Sequence, residues 1–465
     1  MSGTELHLLT IAEASPLIAA GELGIVELTR AFLDRIAEVD TKLNAYVTVT
    51  ADRALEDAAR LEAELLAGRY RGPLHGIPIA LKDIYDTAGI ATGCGSHLLE
   101  GRVPSTDAHS VAALRDAGTV LLGKLTTHEF AFGGPSFDLP SPPARNPWNT
   151  EHFTGGSSSG SGAATAAGLA MATLGSDTAG SIRMPAALCG IHGLKPTYGR
   201  VSRRGVAPLA QSLDHCGPMT WTAHDAALML QAIAGHDPRD PASAPVPVAD
   251  YAGLLGQMPR GVRIGLIEEF YVSRPETDSR VEAAMARSVC ELTELGAIVE
   301  PVTLPALEDF HACNMLIMLS EALAIHEHHL RKTPERYGEI FRDRLSLAGL
   351  LSCTDYVQAL RLRRQLAAAV DCALERHDLL LTAGGFTPAP RIDEVAKFAV
   401  LERPLITAPF NTSGHPVASV CNGHTDEGLP LGMQIIGQRF GERQLLSVAD
   451  AYERATPYRD RRPSI

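Results

Sequence analysis

The sequence predicts an α/β fold, with a large mixed, mainly parallel twisted sheet that helices cover on both faces. Short apolar runs have the length of buried strands and cover residues 77–81, 119–122, 262–267, 297–302 and 379–382. Between the third and fourth runs, residues 279–295 carry apolar side chains at helical spacing. A strand, a helix and a second strand make a βαβ unit, and repetition of this unit favours parallel strands between two layers of helices.

Two further helices are expected near the start of the chain. Residues 25–37 and 54–67 each place apolar side chains along one stripe, and a break follows at Gly72-Pro73. With 465 residues, 45% of them hydrophobic, the chain can bury a sizeable core. We therefore expect an N-terminal helical segment at 1–70, packed on a main domain at 71–465.

Charge and residue spacing argue against several classes of protein. Asp and Glu (54) outnumber Lys and Arg (41), and the net charge of −13 disfavours binding to nucleic acid or to an anionic membrane. The sequence has neither a run of about 18 apolar residues nor a basic leader, which predicts a cytoplasmic location. The eight cysteines form no CxxC pair, and the stretch 326–329 (HEHH) lacks the i, i+4 histidines of a zinc helix, so no metal is expected.

The chemistry is expected in residues 153–196, a segment rich in glycine, alanine, serine and threonine. Small residues let backbone N–H groups converge on one point as an anion nest, which serves phosphate binding, the serine elbow of α/β-hydrolases or serine acyl transfer. Neither GxxxxGK[ST] nor GxGxxG is present, which disfavours a nucleotide cofactor. Residues 156–160 match GxSxG around Ser158, but polar residues and a proline precede them where an elbow needs a buried strand.

Two serines and a lysine fit the acyl-transfer site. Ser181 lies 24 residues after Ser157, and a helix expected at 163–174 would return the chain so that both serines face one site. A serine nucleophile needs a base, and lysine is the usual substitute for histidine. Lys82 ends the apolar run at 77–81, a position where a lysine is readily desolvated.

These motifs resemble the amidase signature family. The resemblance is carried by Lys82 and its strand, the GGSS cluster around Ser157, the DTAGSIR segment with Ser181, and the following GIHGLKPTYGRVSRRG. It extends from the N-terminal helices to the closing GLPLGMQIIG and is weakest at 300–400. The resemblance implies an amidase-signature catalytic domain at 71–465 with a variable substrate-pocket region at 300–400. Further pocket side chains are expected from the loop 132–143. The apolar residues of the helical stretch 311–330 favour a core helix, with a wall of an acyl pocket as the alternative.

The resemblance also implies roles for single residues. Ser181 would attack an amide carbonyl and form an acyl-enzyme, while Ser157, through a cis peptide, would relay the proton to Lys82. The backbone N–H groups expected to bind the oxyanion are those of Thr178, Ala179, Gly180 and Ser181. No metal and no organic cofactor is expected.

The expected activity is that of a stand-alone amidase, which hydrolyses the C–N bond of a small-molecule carboxylic amide to an acid and an amine or ammonia. Two alternatives stay open: the A subunit of glutamyl-tRNA(Gln) amidotransferase, and a urea-type enzyme acting on biuret- or allophanate-like amides. The chain differs from this amidotransferase subunit in two places: Arg204, where a tyrosine is expected, and Pro404, where the subunit has an aspartate that helps hold the α-amino group of glutamine. The expected partner is therefore a small-molecule amide, with no nucleic acid and no membrane, and a homodimer is left open.

Overall fold

The structure is a computed structural model that describes residues 5–465, so residues 1–4 of the expected N-terminal segment lie outside it. Within the described range the chain forms an eleven-stranded sheet, a two-stranded ribbon and helices packed on the sheet. The strands are β1 (Tyr46–Val49), β2 (Pro78–Lys82), β3 (Val120–Leu125), β4 (Arg145–Asn146), β5 (Asn149–Phe153), β6 (Ala172–Asp177), β7 (His192–Lys195), β8 (His215–Thr220), β9 (Arg263–Leu266), β10 (Ile298–Pro301), β11 (Leu379–Ala383), β12 (Val417–His424) and β13 (Pro430–Gly437). The α-helices are α1 (Ile11–Ala19), α2 (Ile25–Leu43), α3 (Ala51–Leu66), α4 (His109–Asp116), α5 (Ser159–Ala166), α6 (Arg183–Cys189), α7 (Ala223–Ile233), α8 (Ser279–Glu294), α9 (Leu307–Lys332), α10 (Glu339–Ser346), α11 (Cys353–Arg376), α12 (Ala399–Glu402), α13 (Ala408–Ser413) and α14 (Glu442–Ala455).

The large sheet has the strand order β1-β3-β2-β6-β8-β7-β12-β13-β11-β9-β10, and β4 and β5 form the ribbon. Parallel pairs occur in two groups, β3-β2-β6 and β11-β9-β10, and the other neighbours are antiparallel. The predicted α/β class with a mixed sheet is confirmed. The five apolar runs are the strands β2, β3, β9, β10 and β11, and all of them lie in the parallel groups. The strands at the centre of the sheet are antiparallel. For β12 and β13 no other arrangement is possible, because the connection at 425–429 is too short for a parallel crossover.

The helix expected at 163–174 is shorter than predicted. Helix α5 ends at Ala166, Gly168 adopts φ +68°, and β6 begins at Ala172. Glycine adopts this left-handed conformation without the steric penalty of a side chain, so the chain can reverse there. The second half of the segment becomes a strand that pairs with β2, which places the end of β6 beside Lys82.

The central strands are covered on both faces, because every residue of β2, β6, β8 and β13 is buried. The N-terminal helices share the hydrophobic core of the sheet through side chains such as Ile11, Ile25 and Phe32. The domain boundary near residue 70 stays a prediction. No helix in the part of the chain that the structure describes is long and apolar enough to cross a bilayer.

Candidate active site

Lys82 is the last residue of β2 and is completely buried. Its Nζ atom donates hydrogen bonds to Ser157 Oγ at 2.7 Å and to Ser176 Oγ at 2.9 Å. Ser157 follows a cis peptide bond with Gly156 and precedes α5, whereas Ser176 lies on β6, the neighbour of β2 in the sheet. The structure therefore brings the lysine and the first serine of the predicted site into direct contact.

Burial changes the acid–base properties of Lys82. It lowers the pKa of the lysine from its usual value of 10.5 to about 7, although the carboxylates of Asp177 and Asp214 act in the opposite direction. A large share of the lysine is then neutral near pH 7. Because a neutral amine has a lone pair that can accept a proton from Ser157, Lys82 has the properties of a general base.

Ser181 lies in the turn between β6 and α6. The backbone N–H of Ser158 donates to the carbonyl oxygen of Ser181 over 3.3 Å, which ties this turn to the segment of Ser157. Gly180 has φ +138°, and a Cβ atom there would lie 2.2 Å from Thr407 Oγ1, so the turn has room only for glycine. One cavity of about 260 Å³, the serine cavity, is lined by Ser157, Thr178, Ala179, Gly180 and Ser181.

Ser158, the serine of the GxSxG match, lies elsewhere. It is completely buried ahead of α5, and its Oγ atom donates to the backbone oxygen of Ser176 at 3.3 Å. Ser158 does not line the serine cavity, whereas Ser157 and Ser181 do. The arrangement does not fit an α/β-hydrolase elbow.

A buried ion pair holds the turn that carries Ser181. Arg183 donates to both carboxylate oxygens of Asp177, from Nη2 at 2.9 Å and from Nε at 3.0 Å, and neither side chain is exposed. The backbone N–H groups of Ile182 and Arg183 also donate to Asp177 Oδ2. Burial alone would raise the pKa of Asp177, but Arg183 outweighs it and holds that pKa well below its usual range. Asp177 therefore orients the turn as a permanent carboxylate.

The rest of the wall of the serine cavity is mostly apolar and includes Phe132, Phe153, Met184, Met318, Phe386, Val395, Val400 and Leu405. Arg344 of α10 adds a buried cation to this wall, with only 3% of its surface exposed. Its guanidinium donates to the carbonyl oxygens of Gly133 and Lys397, and within residues 5–465 it forms no ion pair. A buried cation without a counterion favours an anionic group on the ligand.

No sequence pattern indicates Arg344 or His128 as a site residue. Arg344 falls in the expected pocket region at 300–400, but only its burial and its contacts in the folded chain, such as the one with Gly133, distinguish it from a surface arginine. His128 lies against Gly156, where a Cβ atom would come within 2.0 Å of the ring. Burial lowers the pKa of His128 to about 3, so this histidine is a far weaker base than Lys82.

The chain belongs to the amidase signature family, because the sequence profile described as Amidase matches residues 27–446. It is therefore an amidohydrolase, an enzyme that acts on C–N amide bonds. It is 40% identical to the A subunit of glutamyl-tRNA(Gln) amidotransferase from Moorella thermoacetica, over 99% of each chain. The solved peptide amidase of Stenotrophomonas maltophilia is 34% identical, with a TM-score of 0.86 over 98% of each chain. The solved A subunit of the amidotransferase from Thermotoga maritima is 31% identical, with a TM-score of 0.83 over 98% of this chain and 97% of that one.

The prediction of a small-molecule amide as the partner, with no nucleic acid, is wrong. Relatives that match the chain over nearly its whole length are named as subunits of an amidotransferase for glutamyl-tRNA(Gln). The prediction relied on the net charge of −13, which describes only what the surface of this chain attracts. That charge does not limit the nucleic acid on which an assembly of several chains acts.

Proposed function

We propose that this chain is the glutamine-hydrolysing A subunit of a cytoplasmic glutamyl-tRNA(Gln) amidotransferase. The observation that carries the proposal is the 40% identity, over 99% of each chain, to a protein of that name. The contact of 2.7 Å between Lys82 and Ser157 supports the hydrolytic step. Arg344 supports glutamine as the amide donor, because its unpaired guanidinium suits the α-carboxylate of an amino acid.

Acylation begins with the neutral amine of Lys82. Lys82 Nζ accepts the hydroxyl proton of Ser157 as Ser157 Oγ takes the proton of Ser181, and Ser181 Oγ attacks the carbonyl carbon of the side-chain amide of glutamine. The oxyanion of the tetrahedral intermediate accepts hydrogen bonds from backbone N–H groups of the turn between β6 and α6. One such donor contributes about 3 kcal/mol to the stability of a transition state.

Breakdown of the tetrahedral intermediate uses the same proton path in reverse and completes acylation, and hydrolysis of the acyl-enzyme follows. The proton on Lys82 returns through Ser157 to the leaving nitrogen, the C–N bond breaks, and ammonia leaves behind a glutamyl ester on Ser181. A water molecule then gives a proton to the same relay and attacks the ester, which releases glutamate and restores the Ser181 hydroxyl. In the assembly, the ammonia would attack the side-chain carboxyl of glutamyl-tRNA(Gln) after a nucleoside triphosphate has activated it as an acyl phosphate, and phosphate would leave as the amide forms.

Reconstitution with tRNA tests this proposal. The chain is assembled with the other amidotransferase subunits of its own organism, and conversion of glutamyl-tRNA(Gln) to glutaminyl-tRNA(Gln) is measured with glutamine as donor and with ATP and Mg²⁺ present to activate the carboxyl group. We expect conversion only when this chain is present. Ser181→Ala is the matched control, because it should abolish conversion with glutamine while added ammonium salt still supports it.

The serine cavity differs in one place from the pattern expected of the amidotransferase subunit, and this difference indicates which result would contradict the proposal. Pro404 and Leu405 line the serine cavity, and the described lining includes no carboxylate that could pair with the α-amino group of glutamine. If the chain hydrolyses other amides without the other subunits, and if it never supports glutamine-dependent conversion of the tRNA, the proposal is wrong.

A further inference from the structure

Ser176 is a second hydrogen-bond partner of Lys82, and the reaction described above does not use it. Its Oγ atom accepts a hydrogen bond from Lys82 Nζ at 2.9 Å, from the side of β6, while Ser157 is reached at 2.7 Å from the segment before α5. A further hydrogen bond joins the segments of the two serines, because the backbone N–H of Ser176 on β6 donates to Oγ of Ser158, the residue after Ser157, at 3.3 Å. Ser176 is therefore placed as firmly as the serine of the relay.

A neutral lysine needs such a partner. Its amino group has two hydrogens and one lone pair and rotates about the Cε–Nζ bond, so the lone pair faces Ser157 only in some orientations. An acceptor on the opposite side takes one hydrogen and stabilises the orientation in which the lone pair faces Ser157. We propose that Ser176 is a positioning residue for the reaction, which orients the amino group of Lys82 so that Ser157 can transfer its proton to it. This inference rests on the proposed role of Lys82 as the base.

Ser176 also lines a second cavity. This polar cavity, of about 900 Å³, is lined by Ser176 together with Arg203, Asp214, Glu321 and Tyr356 among others. Within residues 5–465, Ser176 Oγ accepts a hydrogen bond from Lys82 and donates none to a protein atom. Its hydroxyl hydrogen can therefore bond to water in this cavity. Ala131 and Leu209 line both cavities, so the two lie on either side of a shared wall.

Other titratable groups also face Lys82. They are Asp177 and Asp214, which favour its charged form, the thiols of Cys216 and Cys94, and the ring of His128. Asp214 also titrates within the pH range of the test, because burial raises its pKa to about 6. Its carboxylate accepts from Thr178 Oγ1 and from backbone N–H groups at residues 209 and 210, and no hydrogen bond connects it to Ser176. A change at Ser176 therefore acts directly on the titration of Lys82 and reaches Asp214 only through the electrostatic interaction between Asp214 and Lys82.

The test is the pH dependence of glutamine hydrolysis by the assembled enzyme carrying Ser176→Ala. We expect kcat to fall roughly tenfold at unchanged KM, since one hydrogen bond that orients the base is lost. We also expect the acidic limb to move to lower pH by about one unit, because the ammonium form of Lys82 loses an acceptor. Ser176→Thr should restore both values, since it keeps the hydroxyl and its methyl group has room on the side of the polar cavity.

Two further variants distinguish a wrong positioning role for Ser176 from a wrong assignment of Lys82 as the base. Ser161→Ala removes a buried serine hydroxyl that donates only to the carbonyl oxygen of Leu174 on β6, and it should leave kcat and the acidic limb unchanged. Lys82→Ala should be inactive, and wild-type hydrolysis by that variant would show that Lys82 is not the base, which would overturn the proposed mechanism on which this inference rests. If Lys82→Ala is inactive while Ser176→Ala keeps the wild-type kcat and pH profile, only the positioning role of Ser176 is wrong.

Discussion

At the scale of single residues, burial decides what Lys82 can do. A solvated lysine with a pKa of about 10.4 is almost entirely protonated at neutral pH and cannot accept a proton. At the end of β2 the side chain has no exposed surface, and its pKa falls to about 7. The two serine hydroxyls near Nζ hydrogen-bond the amine without supplying a negative charge.

The first prediction concerns the pH dependence of the reaction. Amide hydrolysis should rise with pH along an acidic limb centred near 7, because protonated Lys82 predominates below the pKa of about 7 and the neutral base above it. Lys82→Arg should abolish activity at every pH, since a guanidinium does not release its proton in this range. A steady-state pH profile of glutamine hydrolysis measures both effects, and wild-type turnover by the arginine variant would show that Lys82 is not the base.

The second prediction concerns Ser181. Ser181→Ala should lower kcat by more than about a thousandfold, because loss of a nucleophile removes the covalent pathway. The free energy of unfolding should change by less than about 0.5 kcal/mol, because the side chain is partly exposed in the serine cavity. Hydrolysis within roughly tenfold of wild type would contradict the assignment.

At the scale of elements, a buried ion pair holds the junction of β6 and α6. The Asp177–Arg183 pair joins the last residue of the strand to the first residue of the helix. Arg183 also donates to the carbonyl oxygen of Thr407 and to Gln434 of β13, so one side chain connects the turn to two other segments. The turn of Ser181 is consequently fixed relative to the centre of the sheet.

The third prediction is that Arg183→Met lowers the free energy of unfolding by about 3–5 kcal/mol. The substitution leaves the buried carboxylate of Asp177 without its cation, which costs more than the pair contributes when intact. Arg280→Met is a suitable control, because its pair with Asp278 is exposed and should contribute at most about 1 kcal/mol. Urea unfolding of both variants gives the comparison, and equal losses would show that Asp177–Arg183 is not a structural pair.

At the scale of the whole molecule, the N-terminal helices and the sheet form one hydrophobic core. Asp225 of α7 accepts from the backbone N–H of Ala12, and Arg35 of α2 donates to the carbonyl oxygen of Ile465. The two ends of the chain therefore pack on the same body. This packing agrees with an N-terminal segment that is not an independent unit.

The fourth prediction follows from that shared core. A chain without residues 1–70 should fail to fold, because buried side chains such as Ile77 and Ile79 share one hydrophobic core with the N-terminal helices and would lose that part of the core. Circular dichroism and solubility after expression measure the outcome. A soluble truncated chain with wild-type thermal stability would show that the segment is dispensable for folding.

The elements that could be predicted are those with a local signal. The five apolar runs and the helices at 25–37, 54–67 and 279–295 are present because strand length and helical periodicity are properties of neighbouring residues. The antiparallel centre and the short α5 were not predicted. The centre depends on which strands become neighbours, and α5 ends where Gly168 reverses the chain.

By itself, the sequence was enough to predict the fold class and the family, and it indicated Lys82, Ser157 and Ser181 as residues of the candidate site through their order and spacing. Tertiary structure alone decided their surroundings. Lys82 meets Ser157 across 75 residues and Ser176 across 94, and Arg344 reaches Gly133 across 211. Contacts between residues that lie so far apart in the sequence depend on the order of strands in the sheet and on burial by distant segments. The pKa of Lys82 and the unpaired charge of Arg344 follow from that burial, which no local pattern of residues encodes.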